Sequence, residues 1–459
     1  MNVPKSIFRQ YDVRGLVDRE LTPQFARALG RAFASVAFDR LSRAPAIAVG
    51  RDNRPSGAAL AQGVRQGIVD AGGTAVDIGA LPTPALYFGV VALETDGGLQ
   101  VTGSHNPPEF NGFKMVLAGE AFHGDDILEL WEIIMAERWR SGQGSETSDG
   151  SVLQRYREGI ISRHHLERAV RVVVDCGNGI GSVIAVSTLQ GLGAEVRALF
   201  CESDGRFPNH HPDPTVPENL LDLQAEVRRT GAELGIAFDG DADRIGAVDE
   251  TGEIIYGDQL LVLFGRDAVR RFGRGTPVIF DVKCSEVLPQ ALSAAGATPV
   301  MWKTGHSLIK AKMKELHAPL AGEMSGHMFF GGDYLGFDDA LFAAARLLEL
   351  VSHHEFGLAT LLADLPRTYA TPEIRVECPE EQKFGLVERA AAHFATRYPV
   401  NTIDGVRISF PHGWGLLRAS NTQPVLVMRF EATDPELRDQ YRGEVESWLE
   451  SEKTVSGKP

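Results

Sequence analysis

Cysteine is scarce. Cys176, Cys201, Cys284 and Cys378 are spread over 459 positions with no C-x-x-C pair, which excludes a disulfide scaffold and the usual zinc spacings. Long apolar runs are also missing. The nearest candidate, DALFAAARLLELV, is interrupted by Arg346 and Glu349 and falls short of the ~18 residues of a membrane span. The opening MNVPKSIFRQ has no extended apolar core, so the expectation is no secretory signal and a reduced, cytoplasmic setting. Basic residues are in deficit: 46 Lys and Arg stand against 61 Asp and Glu, a net charge of −15. Nucleic acid and anionic membrane both require a basic surface, so neither is an expected partner. A small anion stays admissible, because a few arginines focused in one cleft outweigh the global charge. An acidic surface of this kind allows a monomer or weak dimer.

What is present is an ordinary globular composition, 43% hydrophobic and 23% charged, over a length that predicts about three domains. Three segments read alike: AIAVGRDNRPSGAALAQGVRQGIVDAG from 46, VVVDCGNGIGSVIAVSTLQGLG from 172 and VIFDVKCSEVLPQALSAAG from 278. In each, a short continuous apolar run ends at an aspartate (Asp52, Asp175, Asp281), and a turn and an amphipathic helix pattern follow. Continuous apolar strands alternating with helices predict mostly parallel sheets covered on both faces. The three aspartates lie about one domain length apart.

After LPRTYATPE the pattern changes. DGVRISFPHGWGLLRASNTQPVLVMRFEA alternates with period two between helical patterns, as in an antiparallel sheet with helices. The expected fold is therefore three similar α/β domains with mixed, mostly parallel sheets and a C-terminal α+β domain, around one central cleft. The expected spans are 1–150, 151–253, 254–367 and 368–459.

Each α/β unit carries a second unusual loop. In FDGDADR, Asp239, Asp241 and Asp243 stand at i, i+2 and i+4, and carboxylates crowded this way call for a hard divalent cation. An EF-hand needs Gly at its sixth position, where Arg244 stands, and helical rather than strand-like flanks. A phosphatase with Asp239 as attacking group is a competing reading, but it leaves the next loop without a role. That loop, VTGSHNPPEFNGFKM, fixes Ser104 between Gly103 and His105 with two prolines behind. It is not a G-x-S-x-G elbow. Beside an acidic metal loop, Ser104 is a candidate to carry a phosphate whose oxygens complete the metal's shell.

The remaining motifs are weaker alone. GEMSGH offers Glu323, Ser325 and His327 at alternate positions, read as one face of an extended loop suited to vicinal sugar hydroxyls. KTGHSLIKAKM adds His306. RASNTQP gathers Arg418, Ser420, Asn421 and Thr422, an arginine with small donors that suits a phosphate. Near the amino terminus, YDVRG packs Tyr11, Asp12 and Arg14 together. Its simplest reading is a turn tied by an Asp–Arg pair.

Taken in order along the chain, TGSHNP, DGDADR, GEMSGH and RASNT resemble the motifs of the α-D-phosphohexomutase superfamily, and GEMSGH resembles its phosphomannomutase/phosphoglucomutase branch. The resemblance spans essentially the whole chain and implies an isomerase that interconverts hexose 6-phosphates and 1-phosphates, of mannose, glucose or both. It implies that Ser104 is phosphorylated in the active enzyme, that one Mg²⁺ is held by Asp239, Asp241, Asp243 and the Ser104 phosphate, and that a hexose 1,6-bisphosphate is the activator and intermediate. Glu323, Ser325 and His327 then face the sugar, and Arg418, Ser420, Asn421 and Thr422 grip the phosphate not being transferred. Tyr11, Arg14, His105, Lys114, Arg244, Lys283 and His306 fall where the family places further ligand or proton-transfer groups. Lys114, His105 and His306 are unranked candidates for the general base. Because the distal site must accept either end of the sugar, a movable fourth domain is expected. The alternatives are a phosphoglucosamine mutase of the same superfamily and a metal-dependent sugar phosphatase.

Overall fold

The computed structural model describes residues 3–420 and 424–456. Four sheets follow one another along the chain, and the first three share a plan. In each, a strand ending at or just before one of the repeated aspartates (Ala46–Arg51, Arg171–Asp175, Pro277–Asp281) pairs in parallel with neighbours on both sides. One parallel neighbour then turns back into an antiparallel strand. Gly97–Val101 turns into Phe110–Leu117, Leu234–Phe238 into Ile245–Asp249, and Leu320–Gly322 into Met328–Phe330. The serine, acidic and GEMSGH loops are these three turns. Their equivalent place at the carboxyl ends of parallel strands is what carries them to one cleft. The fourth sheet is antiparallel throughout and is built on Gly413–Ala419 and Val425–Ala432.

One buried core runs through the second and third units and takes in Ile78, Leu81 and Leu86 of the first. A second core lies within the first unit. The fourth unit keeps its own core, around Phe394, Leu417, Met428 and Trp448, and is joined to the third by Val282, Trp414 and Leu416. Around that small apolar contact the joint is polar. Arg407 donates to the carbonyl oxygens of Val282 (2.5 Å) and Cys284 (2.9 Å) and lies 3.7 Å over the Trp414 ring. Glu431 accepts from Ser285 Oγ and Trp414 Nε1, both at 2.9 Å. Relative movement is the default for an interdomain joint of this kind. Among the described residues, no helix is long and apolar enough to cross a membrane.

In the first unit, helices Pro23–Leu41 and Gly57–Ala71 approach closely through glycine. A Cβ on Gly67 would lie 2.7 Å from Arg31 N, against backbone that cannot swing away. Gly67→Ala is therefore expected to destabilise by roughly 1–3 kcal/mol. The loss would appear as a lower thermal midpoint with kinetic constants unchanged, because neither helix lines the cleft.

Candidate active site

All four units line one cleft of about 1660 Å³, larger than the roughly 300–1,000 Å³ of a small-molecule pocket. The serine loop is held from below by one side chain. Arg54 is 1% exposed; it donates to the carbonyls of Ser104 (2.7 Å), Asn106 (2.6 Å), Pro107 (2.7 Å) and Phe110 (3.0 Å), and to Asp52 (3.1 Å). Asp52 also accepts from Thr102 Oγ1 at 2.8 Å. This cage keeps Ser104 at φ 49°, a left-handed conformation that side-chain-bearing residues rarely adopt. Ser104 Oγ then reaches into the second unit and donates to Asp239 Oδ2 at 2.9 Å. Backbone contact makes this crossing possible: a Cβ on Gly240 would lie 3.1 Å from Ser104 C. Only glycine fits there.

Asp239, Asp241 and Asp243 are fully buried, and their carboxylate oxygens converge within 4.8 Å of one another. Asp241 Oδ1 and Asp243 Oδ1 are buried and make no hydrogen bond, although Asp243 Oδ1 lies 3.3 Å from His327 Nε2. Orphaned acceptors beside a serine oxygen are the donor set of a hard divalent cation, so these residues fit one. Without its charge, burial and the two neighbouring carboxylates push Asp239 well above the carboxylate range. Lys114, on the strand Phe110–Leu117, offsets part of the charge by donating to Asp241 Oδ2 at 2.8 Å and to Asp243. Although burial acts against it, the two aspartates hold its ammonium well above the usual lysine value. Thr83 completes the shell with a 2.5 Å bond to Asp241.

The GEMSGH segment differs from the extended loop expected. It is a tight hairpin turn, closed by Gly326 N to Glu323 O (3.0 Å) and Glu323 N to His327 O (2.9 Å). The turn, rather than strand alternation, brings its side chains together. Glu323 Oε2 lies 2.7 Å from His327 Nδ1, and its other oxygen accepts from Gly305 N at 2.6 Å. Ser325 Oγ is 3.2 Å from the same His327 nitrogen. His327 Nε2 stands 3.3 Å from Asp243 and 3.3 Å from Arg244 Nε. Desolvation opposes the charged imidazole, but Asp243 and Glu323 outweigh it and raise His327 to about 9. The other two histidines go the opposite way. Burial, aided by Arg244 and Arg14, lowers His105 well below its ordinary value; burial, aided by Lys310 and Lys114, does the same for His306. His105 Nδ1 lies 3.1 Å from Ser104 Oγ.

The amino-terminal segment enters the same cleft. Arg14 pairs with Asp12 and donates to Asn106 Oδ1 of the serine loop at 2.7 Å. The ion pair and the reach to the site are both there. Tyr11 donates from its hydroxyl to Thr304 O of the third unit at 2.8 Å. On the far side, Lys283 lies 3.5 Å from Glu373, and Arg418 pairs with Asp404 at 3.0 Å. Ser420 is buried, with Lys383 donating to its carbonyl at 2.6 Å. Asn421 and Thr422 lie outside the described residues. Arg54, Thr83 and Asp404 were not read from the sequence. GRDNR carries a visible signal in its charges directly after an apolar strand, but nothing in the sequence marks Thr83.

Four family descriptions match in succession: phosphoglucomutase/phosphomannomutase alpha/beta/alpha domain I over residues 5–141, domain II over 154–252, domain III over 256–369 and the C-terminal domain over 373–447. The chain is 49% identical over 438 residues to a phosphomannomutase/phosphoglucomutase of Pseudomonas aeruginosa, covering 95% of this chain and 94% of that one. It is 43% identical over 456 residues to a phosphoglucomutase of Neisseria gonorrhoeae, covering 98% of both. A crystal structure of a phosphoglucomutase/phosphomannomutase family protein from Burkholderia thailandensis superposes with a TM-score of 0.91 at 42% identity, over 98% of each chain.

Proposed function

The chain belongs to the phosphoglucomutase/phosphomannomutase family, and from that premise we infer that it interconverts the 6-phosphate and 1-phosphate of a hexose, mannose or glucose, through a phosphoserine at Ser104 and a hexose 1,6-bisphosphate. One observation carries the reading: Ser104 Oγ of the first unit meets Asp239 of the second at 2.9 Å, in a cleft that all four units line. Asp239, Asp241 and Asp243 would hold a magnesium ion, which would supply Lewis-acid polarisation of the phosphoryl oxygens.

The chain's own groups do the rest. Transfer breaks the bond from Ser104 Oγ to phosphorus and forms one from the sugar hydroxyl oxygen. Arg14 and Arg244 face the charge that spreads over the moving group. The hydroxyl proton needs an acceptor: Lys114 is unsuited, because two carboxylates hold its own proton. His306 is neutral, lines the cleft and serves as base. His105 Nδ1, 3.1 Å from Ser104 Oγ, is the side-chain nitrogen placed to pass a proton to the leaving serine oxygen; His327 pairs with Glu323 and Asp243 instead. Glu323 fixes the orientation of that imidazole and, with Ser325, faces the sugar.

The bisphosphate must turn end for end before returning its other phosphate to Ser104, and the volume of the cleft supports that. The test is intact mass and peptide mapping of the protein after exposure to glucose 1,6-bisphosphate. A phosphate-sized increment on Ser104 is expected, and an unmodified Ser104 sinks the reading.

Arg418→Ala is expected to weaken binding of hexose 1-phosphate and 6-phosphate alike, each by about tenfold or more, as measured by calorimetry. Loss confined to one isomer would show that the two ends use different cradles. Arg14→Lys keeps the charge but not the fork that spans Asp12 and Asn106. An approximately tenfold fall in kcat is expected, with the thermal midpoint little changed.

A further inference from the structure

The four cysteines are far apart in sequence, yet two of them touch. Cys176 follows the strand Arg171–Asp175 and Cys201 follows its parallel neighbour Glu195–Leu199; their sulfurs lie 3.2 Å apart. Cys176 is fully buried and Cys201 is partly exposed. We propose that Cys176 and Cys201 form a redox-active thiol pair that a hydroperoxide closes to a disulfide, and that closure slows phosphoryl transfer. No family motif contains the pair, and the mechanism above does not use it.

The chemistry balances without further reagents. The Cys201 thiolate attacks hydrogen peroxide, giving a sulfenic acid on Cys201 and hydroxide, which takes up a proton as water. The Cys176 sulfur then displaces water from that sulfenic acid, forming the S–S bond. Two thiols and one peroxide become one disulfide and two waters. Cys201 is the suited attacker because it is the more accessible of the two. As a thiolate it accepts from the Cys176 thiol, which lowers Cys201 from the usual thiol value, while that same bond and burial raise Cys176.

The consequence follows from what stands on the Cys176 loop. Closure draws the sulfurs together by roughly 1.1 Å, to ~2.05 Å. Cys176 O accepts from Gly179 N at 2.7 Å, and the next residue, Ile180, donates to Gly240 O at 3.0 Å. Gly240 lies between two of the metal-loop aspartates. The same loop is tied to the first unit by Asn53 Nδ2 donating to Asn178 O at 2.7 Å, one residue from Arg54. The thiol pair therefore backs the joint at which the serine loop meets the acidic loop. A displacement of about 1 Å there costs on the order of 100-fold in rate.

The test uses the full chain, reduced, treated with hydrogen peroxide and then with catalase. Intact mass should fall by two protons and a non-reducing peptide map should link Cys176 to Cys201; this readout does not depend on the proposed activity. Mutase activity should drop at least about tenfold and return with dithiothreitol. Cys201→Ser should keep basal activity and resist peroxide, and Cys176→Ala serves the same purpose should Cys201→Ser fail to fold. A map without the link, a link without loss of activity, or reversible loss that persists in these variants would each overturn the proposal.

Discussion

Ser104→Ala is expected to abolish mutase activity, with a fall in kcat on the order of 10⁴- to 10⁶-fold. The effect is this large because, among the described residues, no other hydroxyl stands in its place. Among the described residues, His105 Nδ1 and Asp239 are the groups within hydrogen-bonding distance of Ser104 Oγ, and neither forms a phosphoester. Removing the oxygen leaves the loop otherwise intact, since Arg54 grips backbone carbonyls and not the serine side chain. The variant should therefore melt within a few degrees of the parent and bind sugar phosphate with little change. A single-turnover assay and calorimetry on the same preparation check both halves. Activity above about one per cent of the parent would mean that phosphate moves by a route that bypasses this serine, as in a phosphatase that uses Asp239.

Much of the architecture could be read from local pattern. The apolar runs ending at Asp52, Asp175 and Asp281 are parallel strands, because a strand buried on both faces leaves a continuous signal. The Gly- and Pro-marked loops were legible for a related reason: residues that permit tight backbone approach are rare and conspicuous. What was not legible depends on distance through the fold. Glu323, Ser325 and His327 were read as alternating along an extended loop, because a period of two looks the same in a strand and in a tight turn. Lys114 could be read as a base, because the carboxylates that fix its proton stand 127 and 129 positions away. Cys176 and Cys201 read as scattered until two parallel strands put them side by side. Thr83 was the hardest, since nothing local marks it; GRDNR shows the charge of Arg54 but not its burial, because its partners are carbonyl oxygens that every residue possesses.

Arg54 also carries the second large effect. Arg54→Met removes the counter-ion of Asp52 and the donor to four carbonyls, and breaking a buried pair on one side costs about 3–5 kcal/mol. That figure alone would describe a structural residue. Arg54→Lys separates the two roles. A lysine restores the charge beside Asp52 but has three donors on one nitrogen, where the guanidinium spans five partners in a plane. The stability of Arg54→Lys should recover in part. The serine loop, released from several carbonyl bonds, should no longer hold Ser104 against Asp239 at its left-handed φ. Misplacement of about 1 Å then lowers kcat on the order of 100-fold, while KM for the sugar phosphate stays near the parent value, because Arg418 and the GEMSGH turn are untouched. Phosphoserine content, measured by mass, normalises the rate to loaded molecules. A kcat per loaded, folded molecule within about threefold of the parent would reduce Arg54 to a stabilising residue. A hundredfold loss at unchanged KM assigns it the placing of the serine on which the reaction turns.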